Sequence, residues 1–203
     1  MIAIVDYGVG NLFSLTCSFK AIGADICVTS DPDMIRAAEK IILPGVGAFE
    51  DASKKLHESG LGDIIKDECA KGKPLLGICL GMQMLFEKSY EYGENLGLGL
   101  IKGSIRPIAD VIPKDLKIPH IGWNSLHFGE KKDELFKYLH EGDFVYFVHS
   151  YYGAECDESV IATTEYGAQL TAAVRSGNVC GVQFHPEKSE KIGLAILKAF
   201  CEI

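Results

Sequence analysis

Residues 73–86 read K-P-L-L-G-I-C-L-G-M-Q-M-L-F, and this stretch decides the fold. Its first part, Pro74 to Ile78, is a short apolar run after a glycine and a lysine, which predicts a buried β-strand. Apolar residues then recur at helical spacing, at Leu80, Met84 and Leu85. The sequence therefore predicts a strand that turns sharply into a helix, with Cys79 at the turn.

The turn itself, G-I-C-L-G at 77–81, is a Gly-x-nucleophile-x-Gly pattern. Small neighbours allow a nucleophile to be held on a strained backbone at such a turn. There the thiol would lie beyond the carboxyl end of the sheet, at a helix N-terminus whose dipole favours a thiolate. The N–H of Leu80 would be free to stabilise an oxyanion. A small buried cysteine packed between two glycines is the alternative, and the turn alone does not decide between them.

A second stretch near the end reads V-C-G-V-Q-F-H-P-E at 179–187. The run through Phe184 predicts a strand, and His185 stands where that strand ends. Glu187 lies two residues further on, close enough to orient the imidazole. A thiol, an imidazole and a carboxylate are the parts of an acyl-transfer triad, which is recognised by geometry and not by chain order. Cys79, His185 and Glu187 are therefore the candidate catalytic residues; the alternative is an ordinary surface His-Pro-Glu turn.

A third stretch, I-I-L-P-G-V-G-A-F at 41–49, predicts a buried strand that runs into a glycine-rich loop. Glycine permits backbone angles that other residues resist, so such a loop can turn a backbone N–H toward the nucleophile. Gly45 or Val46 would then supply the second oxyanion donor beside Leu80.

With this loop, G-I-C-L-G-M-Q at 77–83 and F-H-P-E at 184–187, the chain resembles the triad, or class I, glutamine amidotransferases from Ile2 to Phe200. Within that family it is most similar to the glutaminase subunits of imidazole glycerol phosphate synthases, from histidine biosynthesis. The narrower resemblance depends on four stretches: P-G-V-G-A-F at 44–49, H-P-E-K-S at 185–189, P-H-I-G-W-N at 119–124 and Y-G-V-G-N-L at 7–12.

The resemblance implies hydrolysis of L-glutamine through a cysteine thioester, giving glutamate and ammonia without a cofactor or a metal. Gln83 lies one helical turn after Cys79, so its amide can face the same pocket. The resemblance assigns it to substrate binding, together with Gly47, Ser150 and Tyr151. No second active site is evident in the sequence, so a partner chain must use the ammonia.

The resemblance implies that this partner is a cyclase subunit of (β/α)8 form, joined to the chain in a heterodimer. Asn11 and Lys188 each adjoin a motif loop, and the family places contacts with the partner there. The alternatives for these two residues are a helix cap and a solvated lysine.

Strand and helix patterns alternate up to Tyr90, which predicts a parallel sheet with helices on both faces. From Glu91 onward, glycines and short strand patterns predict hairpins, with a helix over 133–139. We therefore expect an α/β fold, flavodoxin-like, with a mixed, mainly parallel sheet flanked by helices in a single domain over residues 1–203. The site should lie beyond the carboxyl ends of the strands.

Composition excludes several classes of function. A net charge of −8, without a cluster of lysine and arginine, argues against a nucleic-acid or anionic-membrane partner. No apolar run reaches the roughly 18 residues of a membrane span. No basic region precedes the first apolar stretch, so that stretch predicts a strand and not a signal peptide. Seven scattered cysteines without metal-site spacing indicate reduced thiols, and we expect a cytoplasmic protein.

Three other functions compete with the glutaminase subunit. The first is an amidotransferase subunit serving anthranilate, pyridoxal phosphate or carbamoyl phosphate synthesis, which the P-G-V-G and H-P-E-K-S stretches disfavour. The second is a cysteine hydrolase or peptidase of similar fold that acts without a partner and is fully active alone. The third is a non-catalytic interaction subunit, which the intact Cys79, His185 and Glu187 disfavour.

Overall fold

The computed structural model describes residues 1–129 and 131–203. Its helices are α1 (Leu12–Ala21), α2 (Pro32–Ala37), α3 (Phe49–Glu58), α4 (Leu61–Ala70), α5 (Leu80–Gln83) and α6 (Glu190–Cys201). The strands of the first half are β1 (Ile2–Val5), β2 (Ile26–Thr29), β3 (Lys40–Leu43), β4 (Leu75–Ile78), β5 (Phe86–Ser89), β6 (Asn95–Leu96) and β7 (Ile101–Pro107). Those of the second half are β8 (His120–Ser125), β9 (His127–Phe128), β10 (Phe144–His149), β11 (Tyr151–Ala154), β12 (Val160–Glu165), β13 (Gln169–Ser176) and β14 (Val179–Val182). Short 3₁₀ turns cover Ile108–Asp110, Glu134–Phe136, Asp157–Ser159 and Pro186–Lys188.

The main sheet has the strand order β2-β1-β3-β4-β14-β13-β12-β9. Pairing is parallel from β2 through β14 and antiparallel beyond it. Two smaller sheets, β10-β8 and β11-β7-β5-β6, are built from strands that lie between residues 86 and 154. The prediction of an α/β fold with a mixed, mainly parallel sheet flanked by helices is confirmed.

The core lies on both faces of the main sheet, because side chains of a strand alternate between its faces. Along β1, Ala3 and Val5 pack on the face covered by α3 and α4, whereas Ile2 and Ile4 pack on the face covered by α1 and α6. A strand buried on both faces must be apolar throughout, which is the reason why β1 shows no polar alternation.

Parallel pairing brings the carboxyl ends of β1, β3, β4 and β14 to one edge of the sheet. The segments that leave this edge after β1, β3, β4 and β14 are 6–11, 44–48, the turn at 79 and 183–189. Stretches that are far apart in the sequence are thus brought side by side by the order of the strands.

The helix after Cys79 is much shorter than the spacing of apolar residues predicts. It ends at Gln83, and β5 begins at Phe86. The carbonyl of Met84 accepts the N–H of Leu98, and the carbonyl of Leu85 accepts two further N–H groups from the same connecting segment. Because these carbonyls are already paired, the helix cannot continue, and one turn of helix carries only a small dipole.

The helix predicted over 133–139 is also wrong. Only Glu134–Phe136 forms a helical turn, and it is a 3₁₀ turn. The N–H groups of Phe136, Lys137 and Leu139 each bond the carbonyl three residues earlier. Such i→i+3 bonding places the apolar side chains differently from an α-helix, and Leu135 and Phe136 are both fully buried although they are adjacent.

We expect Gly81→Ala to destabilise the fold strongly. A Cβ at this position would lie 1.8 Å from the carbonyl oxygen of Leu43, a backbone atom that cannot move aside cheaply. The free energy of unfolding, measured by urea denaturation, should fall by more than about 2 kcal/mol. Gly129→Ala is the matched control, because a Cβ there meets no atom within 4 Å among the described residues outside its own chain neighbours. Equal urea midpoints for the two variants would contradict this account of the turn.

Candidate active site

Cys79 occupies a strained turn between β4 and α5. Its backbone has φ 55° and ψ −113°, values that a residue with a side chain rarely adopts. Its N–H donates to the carbonyl of Val182 on β14, at 2.8 Å. The flanking glycines are needed for close approach, because a Cβ on Gly77 would lie 2.7 Å from the carbonyl oxygen of Gly81. The sharp turn therefore holds Cys79 against the end of β14.

His185 and Glu187 lie just beyond the end of β14, which stops at Val182 and not at Phe184 as predicted. The Nδ1 atom of His185 is 2.8 Å from Oε1 of Glu187. The two side chains are only 2% and 3% exposed. Within the described part of the chain, Nε2 of His185 makes no hydrogen bond of ordinary geometry. One ring nitrogen is thus held by the carboxylate while the other is left for the sulfur.

The peptide of His185 is fixed to β10 by a buried hydroxyl. The N–H of His185 donates to the carbonyl of Tyr146, at 2.9 Å. The hydroxyl of Ser189 accepts the N–H of Tyr146 and donates to the carbonyl of His185. The imidazole is therefore positioned by main-chain contacts to a strand outside the main sheet.

The electrostatics of His185 favour its charged form. Burial by itself lowers the pKa of the imidazole, but the contacts with Cys79 and Glu187 and their negative charges outweigh burial and raise the pKa. Nε2 therefore lies near enough to Cys79 for the sulfur to stabilise a proton on the ring, although no hydrogen bond of ordinary geometry joins them. The arrangement can hold a thiolate beside an imidazolium, the activated form of a cysteine nucleophile.

A cavity of about 530 Å³ opens over Cys79 and His185. Six further residues predicted for the site line it, namely Val46, Gly47, Leu80, Gln83, Ser150 and Tyr151. Gly45 is not in the wall. It packs behind it, where a Cβ would lie 2.7 Å from the N of Gly81.

Asn11 and Lys188 do not line the cavity. Asn11 caps α1, its side chain accepting the N–H of Ser14, and Lys188 lies with Nζ 5.6 Å from the centroid of the Tyr146 ring. The cap that the sequence offers as the alternative for Asn11 is thus present. Both residues lie on segments that leave the carboxyl edge of the main sheet.

Two polar residues of the site were missed in the sequence. Gln183 is fully buried, and its Nε2 lies 3.8 Å from Sγ of Cys79. A single amide in an otherwise apolar strand, two residues before a histidine, was a signal that could have indicated it. Glu91 lines the cavity and accepts the N–H of Phe49 at 2.8 Å. Burial raises the pKa of Glu91, and the hydrogen bond from Phe49 opposes this effect only in part. No local pattern in the sequence indicated this residue.

In the part of the chain that the structure describes, no three histidine, cysteine, aspartate or glutamate side chains are grouped as a metal site would require. Across residues 1–129 and 131–203, no helix combines the length and apolar character needed to span a membrane.

Comparison with known proteins gives one consistent family. The family model for class-I glutamine amidotransferases matches residues 3–202. The imidazole glycerol phosphate synthase subunit HisH of Aquifex aeolicus is 49% identical over 199 residues, which cover 97% of this chain and 94% of the relative. The HisH subunit of Caldanaerobacter subterraneus subsp. tengcongensis is 52% identical over 206 residues, covering 100% and 98%.

Solved structures share the fold at lower identity. A glutamine amidotransferase crystal structure superimposes with a TM-score of 0.75 at 19% identity, covering 99% of this chain and 100% of the other. The glutaminase domain of Trypanosoma brucei CTPS with bound acivicin superimposes with a TM-score of 0.67 at 16% identity, covering 99% of this chain and 93% of the other. At such identities the likeness concerns the fold alone.

We expect Glu187→Gln to lower the pKa of His185 by at least about one pH unit, because the carboxylate that stabilises the imidazolium is removed. The pKa is measured by NMR titration of the His185 ring in a Cys79→Ala background, so that only the carboxylate differs. Glu141→Gln is the matched control, since it removes a 2.9 Å contact with His127 at an exposed position. An unchanged His185 titration in Glu187→Gln would contradict the electrostatic role given to the carboxylate.

Proposed function

Because this chain belongs to the class-I glutamine amidotransferases, we propose that it is the glutaminase subunit of an imidazole glycerol phosphate synthase in histidine biosynthesis. It hydrolyses L-glutamine to glutamate and ammonia. The observation that carries the proposal is that Cys79 and His185 line the same cavity, and that the carboxylate of Glu187 is held against Nδ1 of His185. The 49% and 52% identities to two HisH subunits support the narrower assignment.

The reaction begins with the thiolate of Cys79, whose proton His185 has taken. The sulfur attacks the side-chain carboxamide carbon of glutamine, and the carbonyl oxygen becomes an oxyanion. The N–H of Leu80 and one N–H from Gly45 or Val46 stabilise that charge. Glu187 holds the ring of His185 in the tautomer that presents Nε2 to the sulfur and stabilises its charge.

The tetrahedral intermediate collapses when His185 gives its proton to the departing nitrogen. Ammonia leaves, and the acyl group remains on Cys79 as a thioester. Water, activated by His185 as a general base, then attacks the thioester carbon and releases glutamate. The cysteine is regenerated without any cofactor.

The amino-acid end of glutamine binds in the wall of the cavity formed by Gly47, Gln83, Ser150 and Tyr151. Glutamine carries an ammonium group there, and Glu91 supplies a carboxylate in the same wall. We assign Glu91 to that ammonium. Charge-assisted hydrogen bonds of this kind are stronger than neutral ones, so this contact would select an α-amino acid over a simple amide.

Ammonia in water is mostly protonated and then cannot act as a nucleophile, so the glutaminase needs a partner that takes the ammonia directly. The partner in this proposal is a cyclase subunit of (β/α)8 form, bound as a heterodimer in the reducing cytoplasm. Asn11 and Lys188 are assigned to the face where ammonia leaves. Both lie on segments at the carboxyl edge of the sheet that holds Cys79.

The deciding experiment measures glutamate release from glutamine by the purified chain, alone and with the candidate cyclase, while the nucleotide ligand of the cyclase is titrated. We expect turnover to depend on the cyclase and to rise with its ligand. Full turnover by the isolated chain, unchanged by the cyclase, would favour the partner-free hydrolase. Stimulation only by a synthase of another pathway would favour a different amidotransferase subunit.

We expect Cys79→Ala to abolish glutamine-dependent synthesis by the complex, because no other group at the site forms the thioester. Synthesis driven by added ammonia should survive, since that chemistry lies on the partner. Both rates are followed by formation of the cyclase product, with circular dichroism to confirm folding. Glutamine turnover at the wild-type rate would disprove the assignment of the nucleophile.

We expect Glu91→Gln to raise KM for glutamine by about tenfold or more, because one charge-assisted contact with the substrate is lost. The side-chain amide that Glu91→Gln introduces keeps an oxygen that can accept the N–H of Phe49, so the start of α3 is preserved. Steady-state kinetics of the complex give KM and kcat separately. Glu94→Gln changes a neighbouring carboxylate that does not line the cavity and serves as the control. Equal KM values for the two variants would remove Glu91 from the binding site.

A further inference from the structure

The side chains of Gln83 and Gln183 form a buried pair beside the catalytic sulfur. Nε2 of Gln83 donates to Oε1 of Gln183, at 2.9 Å. Nε2 of Gln183 in turn lies 3.8 Å from Sγ of Cys79. The backbone N–H of Gln183 bonds the carbonyl of Ala172, so the residue is also held by β13. The proposed reaction gives Gln183 no role.

The orientation of both amides follows from one backbone carbonyl. Nε2 of Gln83 is also 3.4 Å from the carbonyl oxygen of Tyr151, which can only accept hydrogen bonds. The NH₂ group of Gln83 must therefore be the end that faces both Tyr151 and Gln183. Gln183 then has to present its oxygen to Gln83, which leaves its NH₂ group facing the sulfur.

The same carbonyl also accepts a hydrogen bond from a buried histidine, which a second buried histidine bonds in turn. Nδ1 of His149 lies 2.8 Å from the carbonyl oxygen of Tyr151, so Nδ1 carries the proton. Nε2 of His149 must then accept from Nδ1 of His120, at 2.9 Å. Nε2 of His120 accepts from the amide of Asn124, which also donates to the carbonyl of Glu165. Each donor in this series has an acceptor, and the direction of every bond is determined.

Burial keeps both histidines neutral, as this pattern requires. It lowers the pKa of His120 to about 4. It also lowers the pKa of His149 to about 4, helped by the charges of His120 and His185 and opposed by the bond to Tyr151. In the ordinary pH range, His149 therefore donates from Nδ1 to the carbonyl of Tyr151 and accepts at Nε2 from His120.

We propose that Gln183 donates a hydrogen bond to the sulfur of Cys79 and stabilises its thiolate, and that Gln83 and the Tyr151 carbonyl orient it for this purpose. The inference goes further than the proposed glutaminase function and rests on it only for the identity of the nucleophile. A hydrogen bond to a charged acceptor is stronger than one to a neutral acceptor, so the bond gains strength when the thiol ionises.

Other titratable groups face Cys79 and act differently. His185 approaches from the loop after β14, with Glu187 behind it. Tyr7, on the loop after β1, is buried and bonded to the carbonyl of Pro44, and burial together with the charge of Cys79 raises its pKa. The hydroxyl of Tyr7 thus stays protonated and donates its hydrogen bond to the carbonyl of Pro44. Gln183, by contrast, is a neutral side chain with its amide nitrogen 3.8 Å from the sulfur.

The test uses the full chain and iodoacetamide, which reacts with the thiolate and has no amino-acid end to bind. Alkylation of Cys79 is followed by peptide mass spectrometry from pH 4 to pH 9.5, with the exposed Cys17 as an internal standard. We expect Gln183→Met to move the midpoint of Cys79 alkylation to higher pH by about one pH unit, a tenfold change. The plateau rate at high pH should stay near that of the wild type.

Gln83→Met should shift the midpoint in the same direction by a smaller amount, because Gln183 keeps its donor but loses its orientation. Gln169→Met, at an exposed position on β13, should leave the profile unchanged. An unshifted midpoint in a folded Gln183→Met variant would overturn the proposal. A lowered plateau without a shift would also overturn it, since that result would mean blocked access to the sulfur. Glutamine turnover is not measured, so failure of the glutaminase assignment would be seen separately.

Discussion

The close contact between the turn at Cys79 and the end of β3 is the constraint on which the site depends. Gly81 leaves no room for a side chain against the carbonyl of Leu43, and Gly45 leaves none against Gly81. This contact places the 44–47 loop beside the nucleophile, which is where a second oxyanion donor has to be. Parallel pairing of β4 with β14 then sets the loop carrying His185 on the other side of Cys79.

Chemistry at this site depends on burial as much as on the identity of the residues. A carboxylate and an imidazole in contact with water would interact weakly, because exposed pairs are screened. Here both are almost fully buried, so the charge of Glu187 acts on His185 at short range and in low dielectric. The helix after Cys79 has only one turn, so its dipole adds little to the stability of the thiolate. The thiolate depends more on the charge of His185 than on the longer helix that the sequence predicted.

The sequence was sufficient for the parallel half of the fold, because buried strands and capped helices such as the one begun by Asn11 leave strong local patterns. It predicted the stretches that contain Cys79, His185 and the 44–47 loop for the same reason. It failed where long-range bonds decide: the carbonyls of Met84 and Leu85 are paired with residues 98–101, and no local pattern reveals this. Glu91 and Gln183 were missed because their roles arise only from tertiary contacts.

The hydrogen bonds that converge on the Tyr151 carbonyl have a further consequence for proton movement. A proton can hop along a chain only when each group both receives and passes on a hydrogen in the same direction. At Tyr151 the two series meet head to head, since His149 and Gln83 both donate to an oxygen that has no hydrogen to pass on. The network can orient groups near the sulfur, but it cannot conduct. His149 lines the cavity but cannot pass a proton through this carbonyl. The proton exchanged between Cys79 and His185 is therefore not lost to the protein interior along this route.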